Sequence, residues 1–381
     1  MKKIAFVYDG ELDFGGVETH LLSMFRHLDR SRYSPILFSP ISERYRENVA
    51  STGVQVVPTL PIKPLSVKAI WRLVKGFRQE KIDLVHIHSP IAAISGRIAA
   101  KITGLPAIVT VHMPSTRFYG DRQTIRAITG RMLYISIDRL LNYVMTKRLV
   151  YVSRTIYKES INIRLSPRRL STVIPNGIDL SKFASVRNSL ALRKEFCTDE
   201  KAIVICFAGR LSEEKGIDIL LEAMVEIQKT HRQENIKLWL IGDGALKVDL
   251  MERTKSLDLE GIVQFIGFQN NLSEFLHAGD IFVLPSRHEA MSVVLLEAIA
   301  SGLPCIVTNV GENADVIENG VQGFVIPPNQ ASAITKSLEV LLRDPSLRQK
   351  MGAKALERAN NYSDLRMVEL LQGIYKEILT E

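Results

Sequence analysis

Short apolar runs and longer stretches of helical periodicity alternate along almost the whole chain. In the first half, residues 4–8, 36–39, 54–57, 84–88, 107–111, 149–152 and 172–174 are β-branched or aromatic-rich runs bounded by polar turns, the pattern of buried strands. Between them, residues 17–28, 67–79 and 91–102 repeat apolar side chains at helical spacing. The second half starts the same alternation afresh, with strands expected at 203–208, 237–241, 263–266, 281–284, 305–307 and 324–326. Helices are expected at 217–229 and 293–300. Strands without internal alternation, each followed by an amphipathic helix, call for a parallel sheet covered on both faces.

Residues 175–202 break the rhythm, and a hinge is placed there. The expected architecture is α/β: two Rossmann-like, doubly wound parallel-sheet domains facing across a cleft. Residues 1–185 form the first domain and 186–362 the second. A length of 381 residues suits two domains, and 46% hydrophobic residues supply two cores.

Composition narrows the setting. Cys197, Cys206 and Cys305 form no Cys-x-x-Cys pair and no disulfide framework, as a reducing cytoplasm permits. The apolar run after Met1-Lys2-Lys3 is too short for a signal peptide, and no stretch reaches the roughly 18 apolar residues of a membrane span. A cytoplasmic protein, peripheral on the inner face of the cell membrane, is the expectation. The net charge of +8 is uneven: residues 1–180 hold more than the whole positive excess, and the remainder is net acidic. The basic residues fall on helix-like segments rather than on an aromatic-interleaved platform. They point to an anionic membrane surface or substrate and away from nucleic acid.

In open parallel sheets, ligands lie beyond the carboxyl ends of the strands, so the turns there are where chemistry is sought. Glu289 and Glu297 flank the expected start of a helix near Ser292, where free N–H groups and the helix dipole suit a diphosphate. Either carboxylate could accept two sugar hydroxyls, or Glu297 could be a solvated helix residue and Glu289 a loop residue. Arg210 and Lys215 leave a strand tip in Gly209-Arg210-Leu-Ser-Glu-Glu-Lys215-Gly216, placed to neutralise a leaving diphosphate or to pair with Glu213 or Glu214. Gly15 and Gly16 open the first helix and allow close approach of a phosphate, or simply form a flexible turn. His86 and His88 alternate along one strand; His86 reads as a structural histidine and His88 as one lining the site. Asp9, Glu11 and Asp13 read as a solvated acidic loop before metal ligands.

Taken in order and spacing, these pieces resemble the retaining GT-B glycosyltransferases of family 4, the glycogen synthase-like and lipopolysaccharide-type group. The match rests on the Gly-Gly loop with Glu18, Ile174-Pro175-Asn176-Gly177-Ile178-Asp179, Gly209-Arg210 with Lys215-Gly216, Ile241-Gly242-Asp243-Gly244, and the Glu-x7-Glu helix. The resemblance implies that Arg210, Lys215 and Gly16 bind the donor diphosphate, with Gly15, Gly209, Gly242 and Gly267 completing the donor loops. Glu289 would contact the donor sugar, Glu297 the ribose, and Met291, Ser292 and Val293 would offer backbone amides. His112 matches the histidine placed beside the reacting anomeric carbon, and His112 with His88 makes the acceptor side. The final helix would pack back on the first domain.

The implied activity is sugar transfer from a UDP- or GDP-linked donor to a glycan or lipid-linked acceptor in cell-surface polysaccharide, lipopolysaccharide or glycolipid assembly. No Asp-x-Asp occurs, so no metal and no cofactor are expected. A basic, apolar stretch, residues 115–148, with Arg117, Arg122, Arg126, Arg131, Arg139, Lys147 and Arg148, and a second around Trp71, would meet an anionic bilayer or face solvent. The rival readings are a nucleotide-sugar epimerase or hydrolase on the same scaffold and a non-catalytic sugar-nucleotide binding module. A nicotinamide dehydrogenase is excluded, because no Gly-x-Gly-x-x-Gly follows a first strand.

Overall fold

The computed structural model describes residues 1–9, 16–40, 43–59, 65–113, 125–184, 189–196, 199–231 and 234–380, with backbone only for 43–46, 125–128 and 189. The chain divides into two compact units, residues 1–177 with 364–381 and residues 178–363. Each is built on one parallel sheet.

The first unit holds β1 (Lys2–Val7), β2 (Tyr33–Ser39), β3 (Gln55–Pro58), β4 (Leu84–Ile87), β5 (Ala107–Val111), β6 (Arg148–Tyr151) and β7 (Ser171–Val173). Their order is β3-β2-β1-β4-β5-β6-β7, so the chain reverses its direction of growth between β1 and β4. Right-handed crossovers then put the Gly16–His27 helix on one face and the Val67–Glu80, Pro90–Thr103 and Ile125–Val144 helices on the other. The final helix, Asp364–Thr380, packs on the first of these faces: Met367, Val368, Leu371 and Tyr375 share a core with Leu21, Met24 and Phe25. On the opposite face, buried Arg97 pairs with Asp138, and Tyr134 and Leu141 pack on Ile94, which fixes the inward side of the Ile125–Val144 helix.

The second unit holds β8 (Ile203–Ala208), β9 (Ile236–Ile241), β10 (Val263–Gly267), β11 (Ile281–Leu284), β12 (Cys305–Thr308) and β13 (Gly323–Ile326) in the order β10-β9-β8-β11-β12-β13. Every strand pair in both sheets is parallel. The central strands are wholly buried, which explains their unbroken apolar sequences. All thirteen strands agree with the sequence reading to within a few residues at their ends.

The passage between units falls at 177/178, inside the 175–202 stretch where the rhythm breaks but before the expected boundary at 185/186. Ile178 already belongs to the second unit, where its N–H donates to the Tyr362 carbonyl and its backbone bridges Ser363. A short 3-10 turn, Leu180–Phe183, then buries Phe183 against the His277 ring in the same unit. Among the described residues no helix is long and apolar enough to cross a membrane.

Candidate functional site

In the second unit, the loops after β8, β9 and β10 are bound to one another through backbone. Gly209 N–H donates to the Ile241 carbonyl at 2.9 Å, Leu211 N–H to Asp243 at 2.9 Å, and Gly242 N–H to Gly267 at 2.8 Å. The contact leaves no room for side chains: a Cβ on Gly242 would lie 1.9 Å from the Gly209 carbonyl oxygen. Gly216 is likewise pressed on the turn after β11, where a Cβ would meet the Pro285 carbonyl oxygen at 2.3 Å. These glycines bring the Arg210–Gly216 loop against residues 285–289.

Across that contact lies the central ion pair. Lys215 Nζ is 2.7 Å from Glu289 Oε1, and the buried Ser286 hydroxyl donates to the same oxygen at 2.7 Å. The carboxylate is 8% exposed and the ammonium 17%, so both are mostly withdrawn from water while a face of the lysine stays accessible. Arg287 braces the arrangement from behind, with a two-pronged contact to Asp218 at 2.9 and 2.6 Å and a bond to the Glu213 carbonyl. Arg210 is exposed and has no carboxylate partner among the described residues. An exposed guanidinium on the same loop as a half-committed ammonium is suited to an anion with several oxygens.

The helix that follows, Val293–Ala300, starts at Ser292, whose side chain makes no capping bond to its first turn. Met291, Ser292 and Val293 are all buried. Glu297, a turn further on, is half-buried, and burial pushes its carboxyl up to about 7, against a smaller downward pull from Lys182.

In the first unit, four histidines collect at the carboxyl ends of β1, β4 and β5. His86 is fully satisfied, with Nδ1 on the Tyr375 hydroxyl at 2.6 Å and Nε2 on Thr110 Oγ1 at 2.7 Å. His88 Nδ1 lies 3.3 Å from His112 Nε2. His20, from the first helix, places its ring 4.9 Å from that of His112 and is held through Nδ1 by Asn176 Oδ1 at 3.1 Å. Burial drives His88 and His112 well below the usual histidine range and His20 down to about 4, so all three are neutral imidazoles near pH 7. Glu18 is buried and accepts from the Tyr8 hydroxyl at 2.6 Å.

Comparison with known proteins places this geometry. Residues 14–182 match the pattern of Glycosyltransferase Family 4, and residues 189–358 that of Glycosyl transferases group 1. The chain belongs to glycosyltransferase family 4. It is 29% identical to an Escherichia coli UDP-Gal:alpha-D-GlcNAc-diphosphoundecaprenol alpha-1,3-galactosyltransferase, over 82% of this chain and 80% of that one. It is 27% identical to a Staphylococcus aureus capsular polysaccharide biosynthesis glycosyltransferase, over 83% and 82% respectively. The fold matches that of Anabaena Alr3699/HepE solved with UDP-glucose, with a TM-score of 0.86 at 19% identity over 99% of this chain and 100% of that one. It also matches WaaG, a lipopolysaccharide glycosyltransferase, with a TM-score of 0.78 at 18% identity over 97% and 99%. Both sheets are therefore those of the GT-B architecture.

Within the glycosyltransferase, the expected residues gather into two groups. Arg210, Lys215, Glu289 and Glu297 with Gly209, Gly242, Gly267, Met291, Ser292 and Val293 belong to the second unit; His88, His112 and Gly16 belong to the first. Lys215 pairs with Glu289 and not with Glu213 or Glu214, as the packing of Gly216 on Pro285 brings the loop against residues 285–289. Glu297 is not the solvated residue that one reading allowed, and Glu289 is not a free loop residue. Gly267 differs from its neighbours, since a Cβ there would meet open space and only its φ of 77° favours glycine. Gly16 opens the first helix; Gly15, Glu11, Asp13, Arg117, Arg122 and Cys197 lie outside the described residues. Asp9 is less solvated than expected, and burial pushes its carboxyl up to about 6.

Sequence reasoning missed Ser286, Arg287, His20 and Asn176. Ser286 and Arg287 adjoin Glu289 and carried only the signal of that proximity. His20 and Asn176 meet across 156 residues, and only Asn176 stood within a quoted motif.

Proposed function

We propose that the chain transfers a sugar, with retention of anomeric configuration and without a metal, from a UDP- or GDP-sugar to a glycan or lipid-linked acceptor in cell-surface polysaccharide or glycolipid assembly. The observation that carries this is the 2.7 Å Lys215–Glu289 pair: a cation for the donor phosphate held beside a carboxylate for the sugar hydroxyls. The activities of the E. coli and S. aureus relatives favour a UDP-sugar and a polyprenyl-linked or capsular acceptor.

The charge that builds on the leaving diphosphate is met by Arg210, Lys215 and the amides at the start of the Val293–Ala300 helix. Glu289 accepts hydroxyl hydrogens of the sugar, with Ser286 and Lys215 both holding its Oε1. Glu297, once ionised, accepts the ribose diol. The bond from the anomeric carbon to the phosphate oxygen breaks as the acceptor oxygen bonds the same face, and the acceptor proton passes to the departing phosphate. Neutral His112 hydrogen-bonds the reacting sugar and stabilises its oxocarbenium-like state. The exposed apolar and basic side chains of the Ile125–Val144 helix bring the enzyme to the membrane that carries the acceptor.

The test is a mass-spectrometric screen of UDP-glucose, UDP-galactose, UDP-GlcNAc and GDP-mannose in EDTA, with and without GlcNAc-diphosphoundecaprenol. Transfer is expected to give acceptor-dependent nucleotide release and an α-linked product. Acceptor-independent release would show a hydrolase, an isomerised donor an epimerase, and binding without turnover a sensor module. Lys215→Ala should lower kcat/KM by roughly 100- to 1,000-fold, the scale of one lost transition-state charge contact. Undiminished turnover would remove Lys215 from the mechanism.

A further inference from the structure

The histidine group in the first unit has a geometry that sugar binding does not require. His20, His88 and His112 come from three different elements, and each offers one ring nitrogen within 4.8 Å of the other two. Asn176 Oδ1 accepts from Nδ1 of His20, which puts the proton there and leaves Nε2 with its lone pair. Among the described residues that Nε2 is buried and has no partner. The 3.3 Å between His88 Nδ1 and His112 Nε2 is long for a hydrogen bond. It is the spacing of two imidazole nitrogens on one tetrahedral zinc ion, since Zn–N bonds of about 2.0–2.1 Å put such nitrogens about 3.3–3.4 Å apart.

His86 lies close by, its ring 4.1 Å from that of His88, yet both of its nitrogens are committed to Tyr375 and Thr110. The group is thus three histidines, not four. Asn176 plays the part of the outer-shell carbonyl that fixes the tautomer of a metal-bound histidine. Three nitrogen ligands with no thiolate suit zinc and its first-row divalent neighbours, and not magnesium or calcium.

We propose that His20, His88 and His112 form a three-histidine site for Zn2+ or a similar first-row divalent cation, and that loading it switches transfer off by engaging His112. The second clause rests on the reading of His112 given above. Inhibition follows because the Nε2 lone pair of His112, once committed to the metal, no longer reaches the sugar.

The full-length protein, stripped with EDTA and desalted, would be titrated with Zn2+ by calorimetry and with Co2+ by visible absorption. One ion per chain and a tetrahedral cobalt spectrum are expected. His20→Ala should weaken Zn2+ binding about tenfold or more. His112→Ala, at a half-buried and more tolerant position, should do the same, with circular dichroism confirming that both variants fold. No stoichiometric Zn2+, or binding unchanged in both folded variants, would overturn the site. In the stripped wild type, Zn2+ should abolish acceptor-dependent transfer and EDTA should restore it; bound Zn2+ with undiminished transfer would overturn the switch. A stripped enzyme that binds Zn2+ but transfers nothing to any tested acceptor counts against the transfer reading and not against the site.

Discussion

At the residue scale, Glu297 couples protonation to stability and, in its proposed role, to donor binding. Burial raises its carboxyl from 4.5 to about 7. A raised folded-state pKa means that its contribution to stability is whole below about pH 4.5 and is lost as pH rises through about 7. Glu297→Gln should therefore match the wild type at pH 4 and exceed it at pH 8, by about 2 kcal/mol after allowing for partial exposure. Urea unfolding at the two pH values checks this, and equal stability at pH 8 would show that the carboxylate is better solvated than its surroundings suggest. Binding has the opposite sign. A ribose diol donates to the ionised carboxylate, so donor affinity should rise from pH 6 to pH 8, with proton release, and stay flat in the Gln variant. Calorimetry of UDP binding in two buffers of different ionisation enthalpy reads that proton directly.

At the element scale, what was legible in the sequence and what was not have separate physical causes. Strands such as β8 and β11 are buried on both faces, so burial alone writes them as unbroken apolar runs, Ile203–Ala208 and Ile281–Leu284. The Val293–Ala300 helix was legible from Ser292 before it and Gly302 after it, two local signals. The Lys215–Glu289 pair was not, because the loop offered Glu213 and Glu214 as nearer partners. Only the packing of Gly216 on Pro285 decides between them. The His20–Asn176 contact was hidden for the same reason: nothing local distinguishes a histidine on a helix face that meets a loop 156 residues away.

The crossed loops of the second unit allow a sharp test of that packing. Gly242→Ala places a Cβ 1.9 Å from a carbonyl oxygen at a φ of 139°, so it should cost about 2 kcal/mol or more and loosen the Arg210–Gly216 loop. Gly261→Ala, which meets open space, should change stability by less than about 0.5 kcal/mol. Denaturant midpoints of the two variants, with UDP affinity alongside, make the comparison. A tolerated Gly242→Ala would mean that the loops are not fixed by backbone contact.

At the scale of the whole molecule, the charge asymmetry acquires a surface. The Ile125–Val144 helix buries Tyr134, Asp138 and Leu141, and turns Met132, Leu133, Leu140, Tyr143 and Val144 outward among Arg131, Arg139 and Lys147. On the same face of the first sheet, the Val67–Glu80 helix exposes Val67 and Trp71 beside Lys68, Arg72 and Lys75. Solvated helices carry isolated apolar residues, but five large ones on one helix is a costly exposure unless an apolar medium takes them up. The interleaved cations select an anionic one, each worth about 1 kcal/mol near a charged bilayer. The protein should therefore float with phosphatidylglycerol vesicles at low ionic strength and stay behind with phosphatidylcholine. Leu133→Glu with Leu140→Glu should abolish flotation while leaving sugar transfer to a soluble acceptor analogue, with its release of UDP, unchanged, because neither residue belongs to the donor loops or the histidine group. Flotation that survives this double change would move the contact elsewhere, and no flotation at low salt would leave the basic first unit to bind an anionic substrate instead.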